Sequence, residues 1–152
     1  MKRVMAVGGF DLLHAGHLHY LEQAKALGDH LCVVVAHDDT VRLRKYEPVT
    51  GQELRKKMVE ALKPVDEALI GNPPEVPIFD ILPLVNPSII ALGYDQDHAR
   101  AGIIAALDER GYSEIEVVRV EALSDDLDGT RKIISRIIDL WSVNKRLEEV
   151  ED

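Results

Sequence analysis

The chain contains one cysteine, Cys32, so it cannot close a disulfide on itself. That residue sits inside the apolar run Leu31 to Ala36 and reads as core, which suits a reducing compartment. No apolar run is long enough to span a bilayer, and the opening residues lack a signal-peptide pattern. The expectation is a cytoplasmic protein with no membrane partner. Positive charge is in deficit, with 18 Lys and Arg against 27 Asp and Glu and a net charge of −9. Nucleic acid is therefore not expected as a partner, because binding its backbone needs a basic face. Internal repeats, low-complexity tracts and Pro-, Gly- or Ser-rich linkers are also missing. The 152 residues are read as one domain, 1–145, followed by an acidic tail, 146–152, expected to fray over Glu148 to Asp152.

What is present is an alternation of strand and helix. Arg3 to Val7 reads as a strand that ends at the Gly8–Gly9 turn. A helix follows from Ala15, with Leu18, Leu21, Ala24 and Leu27 on one side and Gly28 at the C-cap position. Leu31 to Ala36 is β-branched and continuous, as in a strand buried on both faces. Thr50 to Glu53 has capping-box spacing and opens a helix expected to turn Leu54, Met58, Ala61 and Leu62 inward. Strands are expected at Ala68 to Ile70, Ser88 to Leu92 and Ile115 to Val120. Helices are expected near Ile78 to Val85, over His98 to Arg110 with Gly111 as the stop, and from Gly129 onward. The last should bury Ile133, Ile134, Ile137, Ile138 and Trp141. Such alternation predicts an α/β fold with a doubly wound parallel sheet, which binds ligands at the carboxyl ends of its strands.

The segment Gly8 to His17 falls at that place, between the first strand and the first helix. It is not the dinucleotide fingerprint, since Phe10 stands where the second glycine would be, and it lacks the Gly-Lys-Ser/Thr end of a P-loop. Gly8 and Gly9 let backbone amides approach a ligand, and His14 and His17 share one side of the first helical turn. Gly16 leaves room above the helix N-terminus, where free amides favour phosphate. A zinc site would need more ligands than this pair, and ordinary capping or surface histidines are the bland alternative. Arg42, Arg44, Lys45, Arg55, Lys56 and Lys57 concentrate positive charge in an acidic chain. They form either a solvated surface or a site for a small anion.

Gly-Gly-Phe-Asp-x-x-His-x-Gly-His resembles the signature of the cytidylyltransferase-like nucleotidyltransferases, whose fold is Rossmann-like and whose histidine motif is of the HxGH type. The HIGH motif of class I aminoacyl-tRNA synthetases is also similar, but the chain is too short for a synthetase and has no Lys-Met-Ser-Lys-Ser segment. By resemblance, His14 and His17 donate to a triphosphate, and Lys45 and Arg55 neutralise its β- and γ-phosphates. The resemblance also assigns Gly93 and Asp95, in Gly93 to Gln96, to the base. Gly129 and Thr130 match a Ser-Thr pair on the phosphates, with the serine replaced by glycine. Gly8, Gly9, Phe10, Asp11 and Gly16 complete the nucleotide-binding set. Asp11 either orients the motif or a metal, or caps a turn.

Within the superfamily, Val59 to Gly71 and Ala91 to Gln96 are most similar to archaeal FAD synthases. The implied reaction transfers an adenylyl group from ATP to FMN, with Mg²⁺ or another divalent cation, and family habit implies a homodimer. CTP with a small alcohol phosphate such as glycerol 3-phosphate is the alternative, and a nucleotide sensor without turnover is a third reading. A phosphate monoester is already largely dianionic at neutral pH, so the acceptor needs no general base. Catalysis in this scheme rests on positioning and on stabilising charge around the α-phosphate.

Overall fold

The computed structural model describes residues 1–93, 100–121, 123 and 129–151. Five strands form one parallel sheet: β1 (Arg3–Gly8), β2 (His30–Val35), β3 (Glu67–Ile70), β4 (Ile89–Leu92) and β5 (Glu116–Arg119), in the order β3-β2-β1-β4-β5. The chain winds outward from β1 to β3, then crosses back to β4. The switch point therefore lies between β1 and β4, where open α/β sheets hold ligands.

The helices are α1 (Ala15–Ala26), α2 (Asp38–Arg44), α3 (Gln52–Glu60), α4 (Leu82–Val85, preceded by a 3-10 turn at Ile78–Ile81), α5 (Arg100–Glu109) and α6 (Thr130–Glu151). Alternate residues of each strand feed two cores. Val4, Ala6, Val33 and Val35 pack with Leu21 and Ala24 of α1 and Val59 of α3. Met5, Cys32, Val34, Ile90 and Leu92 pack with Leu82 and Val85 of α4 and Leu107 of α5. Cys32 is wholly buried, and burial together with the Glu67 carboxylate pushes its thiol up to about 12, so it is an inert core residue. Among the described residues, no helix is long and apolar enough to cross a membrane.

Several expectations are corrected. The inward face of α3 carries Arg55 and Val59, while Leu54 and Met58 are half exposed. Ala61 is exposed as well, whereas Leu62 packs on the core as expected, so the inward stripe runs through Arg55, Val59 and Leu62. Gly51, without a side-chain bond, is the N-cap of α3, so Thr50 and Glu53 form no capping box there. Gly28 is not a left-handed cap, since Leu27 closes α1 in ordinary helical geometry. Its need for glycine is close approach: a Cβ there would stand 2.7 Å from the Lys2 carbonyl oxygen. Gly111 does stop α5 with φ of +81°.

Helix α2 is unforeseen. His37 caps it through Nδ1, Asp38 and Asp39 sit in its first turn, and Arg42 and Arg44 in its last, all favourable to the helix dipole. Helix α6 continues through the acidic stretch to Glu151 instead of fraying before it. It also leaves Ile137, Ile138 and Trp141 exposed on the chain, not buried, and Ile133 and Ile134 are covered only in part.

Candidate functional site

The turn after β1 is conformationally unusual. Phe10 and Leu12 both adopt left-handed backbone, with φ of 53° and 52°, a region that non-glycine residues rarely occupy. Packing holds the turn in place. The Phe10 ring is buried, lies against His17 at 5.3 Å between centroids and is parallel to Tyr20. A Cβ on Gly8 would meet that ring at 2.9 Å, which explains the glycine.

His14 is the N-cap of α1. Its Nδ1 accepts the backbone N–H groups of Gly16 at 3.0 Å and His17 at 3.3 Å, and the Nδ1 of His17 accepts the N–H of His14 at 3.3 Å. This is a capping box built from two histidines. A ring nitrogen that accepts a hydrogen bond carries no proton, so each neutral imidazole keeps its proton on Nε2. Burial, followed by the neighbouring His14 and the Lys45 charge, pushes His17 down to about 3. At neutral pH His17 is an uncharged N–H donor. The bland reading of these histidines as caps and the functional one are both accommodated, through different nitrogens.

Both rings line a cavity of about 450 Å³ at the switch point. Gly8, Gly9, Phe10, Gly16, Lys45, Gly93, Gly129 and Thr130 line it as well, so the structure gathers most of the expected positions. Asp95 lies outside the described residues. Tyr46, Arg131 and Lys132, which sequence reasoning missed, join them. The adjoining Arg131–Lys132 pair at the start of α6 was a legible signal, since cations beside a helix N-terminus suit an anion. His19 lines the cavity too, and its buried Nε2 has no hydrogen-bond partner among the described residues.

Tyr20 shapes the crevice. The β1–β4 ladder pairs Ala6 with Ala91 and goes no further. Beyond it the Tyr20 hydroxyl donates to the Ala91 carbonyl at 2.6 Å and accepts the Val7 N–H at 3.3 Å. An inserted hydroxyl thus satisfies both strands while holding them apart at the mouth of the cavity.

Two expected residues are placed elsewhere. Arg55 does not line the cavity; it is 1% exposed, with Nε donating to Thr50 O, one Nη to Gly9 O and Ala36 O, and the other Nη to Asp38 at 2.5 Å. It ties the glycine turn, the end of β2 and the segment before α3 together. Asp11 is also buried, and its carboxylate accepts from the Val49 amide, the Thr50 amide and the Thr50 hydroxyl. Burial pushes its pKa up, but these bonds and the Arg55 charge outweigh that and hold it below the usual value. The Asp11 carbonyl accepts from the Thr130 hydroxyl at 3.0 Å, which joins α6 to the opening motif. Of the basic run, Arg42 is paired with Asp39 and Glu47, and Lys56 with Glu60. The run is therefore not one anion-binding patch.

No group of three or more His, Cys, Asp or Glu that could hold a metal ion is found among the described residues. With the Asp11 carboxylate taken up by hydrogen bonds, these side chains do not form a resident cation cage.

A parallel sheet with a histidine-capped helix and clustered cations at its switch point is the arrangement of a nucleotide-handling α/β protein. Residues 5–122 match the family described as Cytidylyltransferase-like, and the chain belongs to that family. Among curated relatives, the FAD synthase of Aciduliprofundum boonei is 46% identical over 140 residues, covering 91% of this chain and 92% of that protein. The FAD synthase of Ferroglobus placidus is 44% identical over 153 residues, covering 100% and 97% respectively. A crystal structure of a lipopolysaccharide core biosynthesis protein from Thermoplasma volcanium GSS1 matches with a TM-score of 0.76 and 40% identity, over 82% of this chain and 99% of that one. A protein of unknown function from Archaeoglobus fulgidus, at 22% identity and a TM-score of 0.65, shares the fold.

Proposed function

We propose that this chain is an HxGH-type nucleotidyltransferase that transfers the adenylyl group of ATP to the phosphate of FMN, forming FAD and pyrophosphate. The observation that carries this reading is the pair of imidazoles, each tied to the backbone through Nδ1, beside Lys45, Arg131 and Lys132 around one cavity, in a chain about 45% identical to proteins named FAD synthase.

An FMN phosphate oxygen attacks the α-phosphorus in line. The bond from that phosphorus to the bridging oxygen of the β-phosphate breaks, and pyrophosphate leaves with the electron pair. The acceptor is already largely dianionic at neutral pH, so no side chain has to remove a proton. His14 and His17 donate through Nε2–H to the triphosphate, and His17 stabilises the charge that builds on the α-phosphate. Lys45, Arg131, Lys132 and the amino end of α6 neutralise the leaving pyrophosphate. Arg55 and Asp11 are positioning residues that fix the backbone of the turn and of the segment before α3. The divalent cation, Mg²⁺ by preference, enters with the nucleotide as part of the substrate, since magnesium binds chiefly through phosphate oxygens and water.

The test is a substrate matrix: ATP or CTP against FMN or glycerol 3-phosphate, with Mg²⁺, measuring pyrophosphate and product. FAD from ATP and FMN alone is expected. A CDP-alcohol would transfer the reading to a cytidylyltransferase, and no pyrophosphate from any pairing would leave a nucleotide sensor.

A further inference from the structure

The other face of the sheet holds a second cavity, of about 580 Å³, lined by neither His14 nor His17. Its size lies within the range of small-molecule sites, roughly 300–1000 Å³. Met5, Ile90 and Leu92 of the strands and Leu82 of α4 supply apolar wall. Phe79 adds an aromatic ring, over which the Arg110 guanidinium lies at 4.8 Å. Arg44 is the charged residue among the described lining residues. It is exposed and makes no hydrogen bond or ion pair through its side chain with the described residues.

Two further facts give the cavity a direction. Gly102 lines it from within α5, although a Cβ there would meet nothing within 4 Å. Packing of the chain alone therefore does not demand a glycine that weakens the helix relative to alanine, and the missing side chain leaves the cavity open. Val7, near the end of β1, lines both cavities, so the two adjoin at the carboxyl end of that strand. Consecutive cations divide between them: Arg44 lines the second and Lys45 the first.

We propose that this cavity is the acceptor site, taking the flat tricyclic ring of a flavin mononucleotide against its apolar walls, with Arg44 on the acceptor phosphate as it passes Val7 toward the histidine turn. The assignment rests on FMN being the acceptor. It also gives a physical reason for flavin over a small polyol phosphate. A polyol would leave apolar wall uncovered and would set hydroxyls against groups that cannot hydrogen-bond.

The test uses the full chain with MgATP, FMN and riboflavin, the last sharing the ring but lacking the phosphate. Gly102→Leu places a good helix former across the cavity. The KM for FMN should rise about tenfold or more, with the KM for ATP within about twofold and Tm not lowered. Ala106→Leu, one turn along the same wall, is the second probe and replaces the first if that variant does not fold. Arg44→Gln should raise the KM for FMN by about tenfold while the inhibition constant of riboflavin stays within about twofold. An unchanged KM for FMN in a folded cavity-filling variant overturns the ring placement. Equal losses for FMN and riboflavin in Arg44→Gln, or no loss for either, overturn the phosphate assignment. Wild-type protein that makes no FAD at all would instead defeat the proposed reaction, so the two failures are distinguishable.

Discussion

The rings of His14 and His17 stack with centroids 3.7 Å apart, each fixed through Nδ1 by backbone amides of one helical turn. The arrangement separates two duties in one side chain. Nδ1 caps the helix, and Nε2–H remains for the ligand.

Those duties can be pulled apart by mutation. Asparagine is a strong N-cap, so His14→Asn should keep the thermal stability of wild type while losing the Nε2 donor. Turnover should fall about a hundredfold, the scale of removing a preorganised donor. His17→Ala should lose at least as much. Turnover within tenfold of wild type in both variants would take the imidazoles out of the mechanism.

The low proton affinity of His17 gives a pH signature. Its pKa is about 3 in the folded chain against 6.5 when unperturbed, so between those values the unfolded chain binds a proton that the folded chain does not. Stability from this group is therefore complete above 6.5 and declines as the pH falls, by at most about 1.4 kcal/mol per pH unit. Denaturant unfolding from pH 7 to pH 4 should show a shallower decline in His17→Asn than in wild type, and equal slopes would contradict the assignment. Activity should lose its acid side near pH 6, where the acceptor phosphate takes up a proton, and not through His17.

Arg55 is predicted to matter for folding before binding. Arg55→Met strands the carbonyls of Gly9, Ala36 and Thr50 and the Asp38 carboxylate, and loss of a buried charged partner costs about 3–5 kcal/mol. Chemical denaturation reads this directly. A variant of wild-type stability with weakened ATP binding would restore the phosphate-holding role that the family resemblance suggests.

Tyr20→Phe removes the hydroxyl that holds Val7 and Ala91 apart. The strands should then pair directly and narrow the crevice. The KM for ATP is expected to rise about tenfold, equivalent to about 1.4 kcal/mol, with a smaller change in kcat. An unchanged KM would show that the crevice keeps its width without the hydroxyl.

The strands were legible because a sheet buried on both faces demands continuous apolar runs, and Leu31 to Ala36 can be little else. Helix faces were less so. In α3 the buried position belongs to Arg55, whose acceptors come from Gly9, Ala36 and Thr50, far apart in sequence. Periodicity counts an arginine as surface and so selects Leu54 and Met58 in its place, while Leu62 was placed correctly. Thr50 illustrates the same limit: its hydroxyl, expected to cap α3, donates to Asp11 instead. In α6, apolar residues at helical spacing reveal an amphipathic face but not whether this chain covers it. At the site, the glycines and histidines of residues 8–17 are local and were readable. The partition of Arg44 and Lys45 between two cavities depends on where α2 ends, and α2 was not foreseen.

Label transfer tests the central claim most directly. With FMN and ATP labelled at the α-phosphorus, the label should appear in FAD, one for each pyrophosphate released, and ATP labelled at the γ-phosphorus should leave its label only in pyrophosphate. Release of γ-label as orthophosphate, or FMN recovered without α-label while ATP is consumed, would contradict adenylyl transfer by this chain.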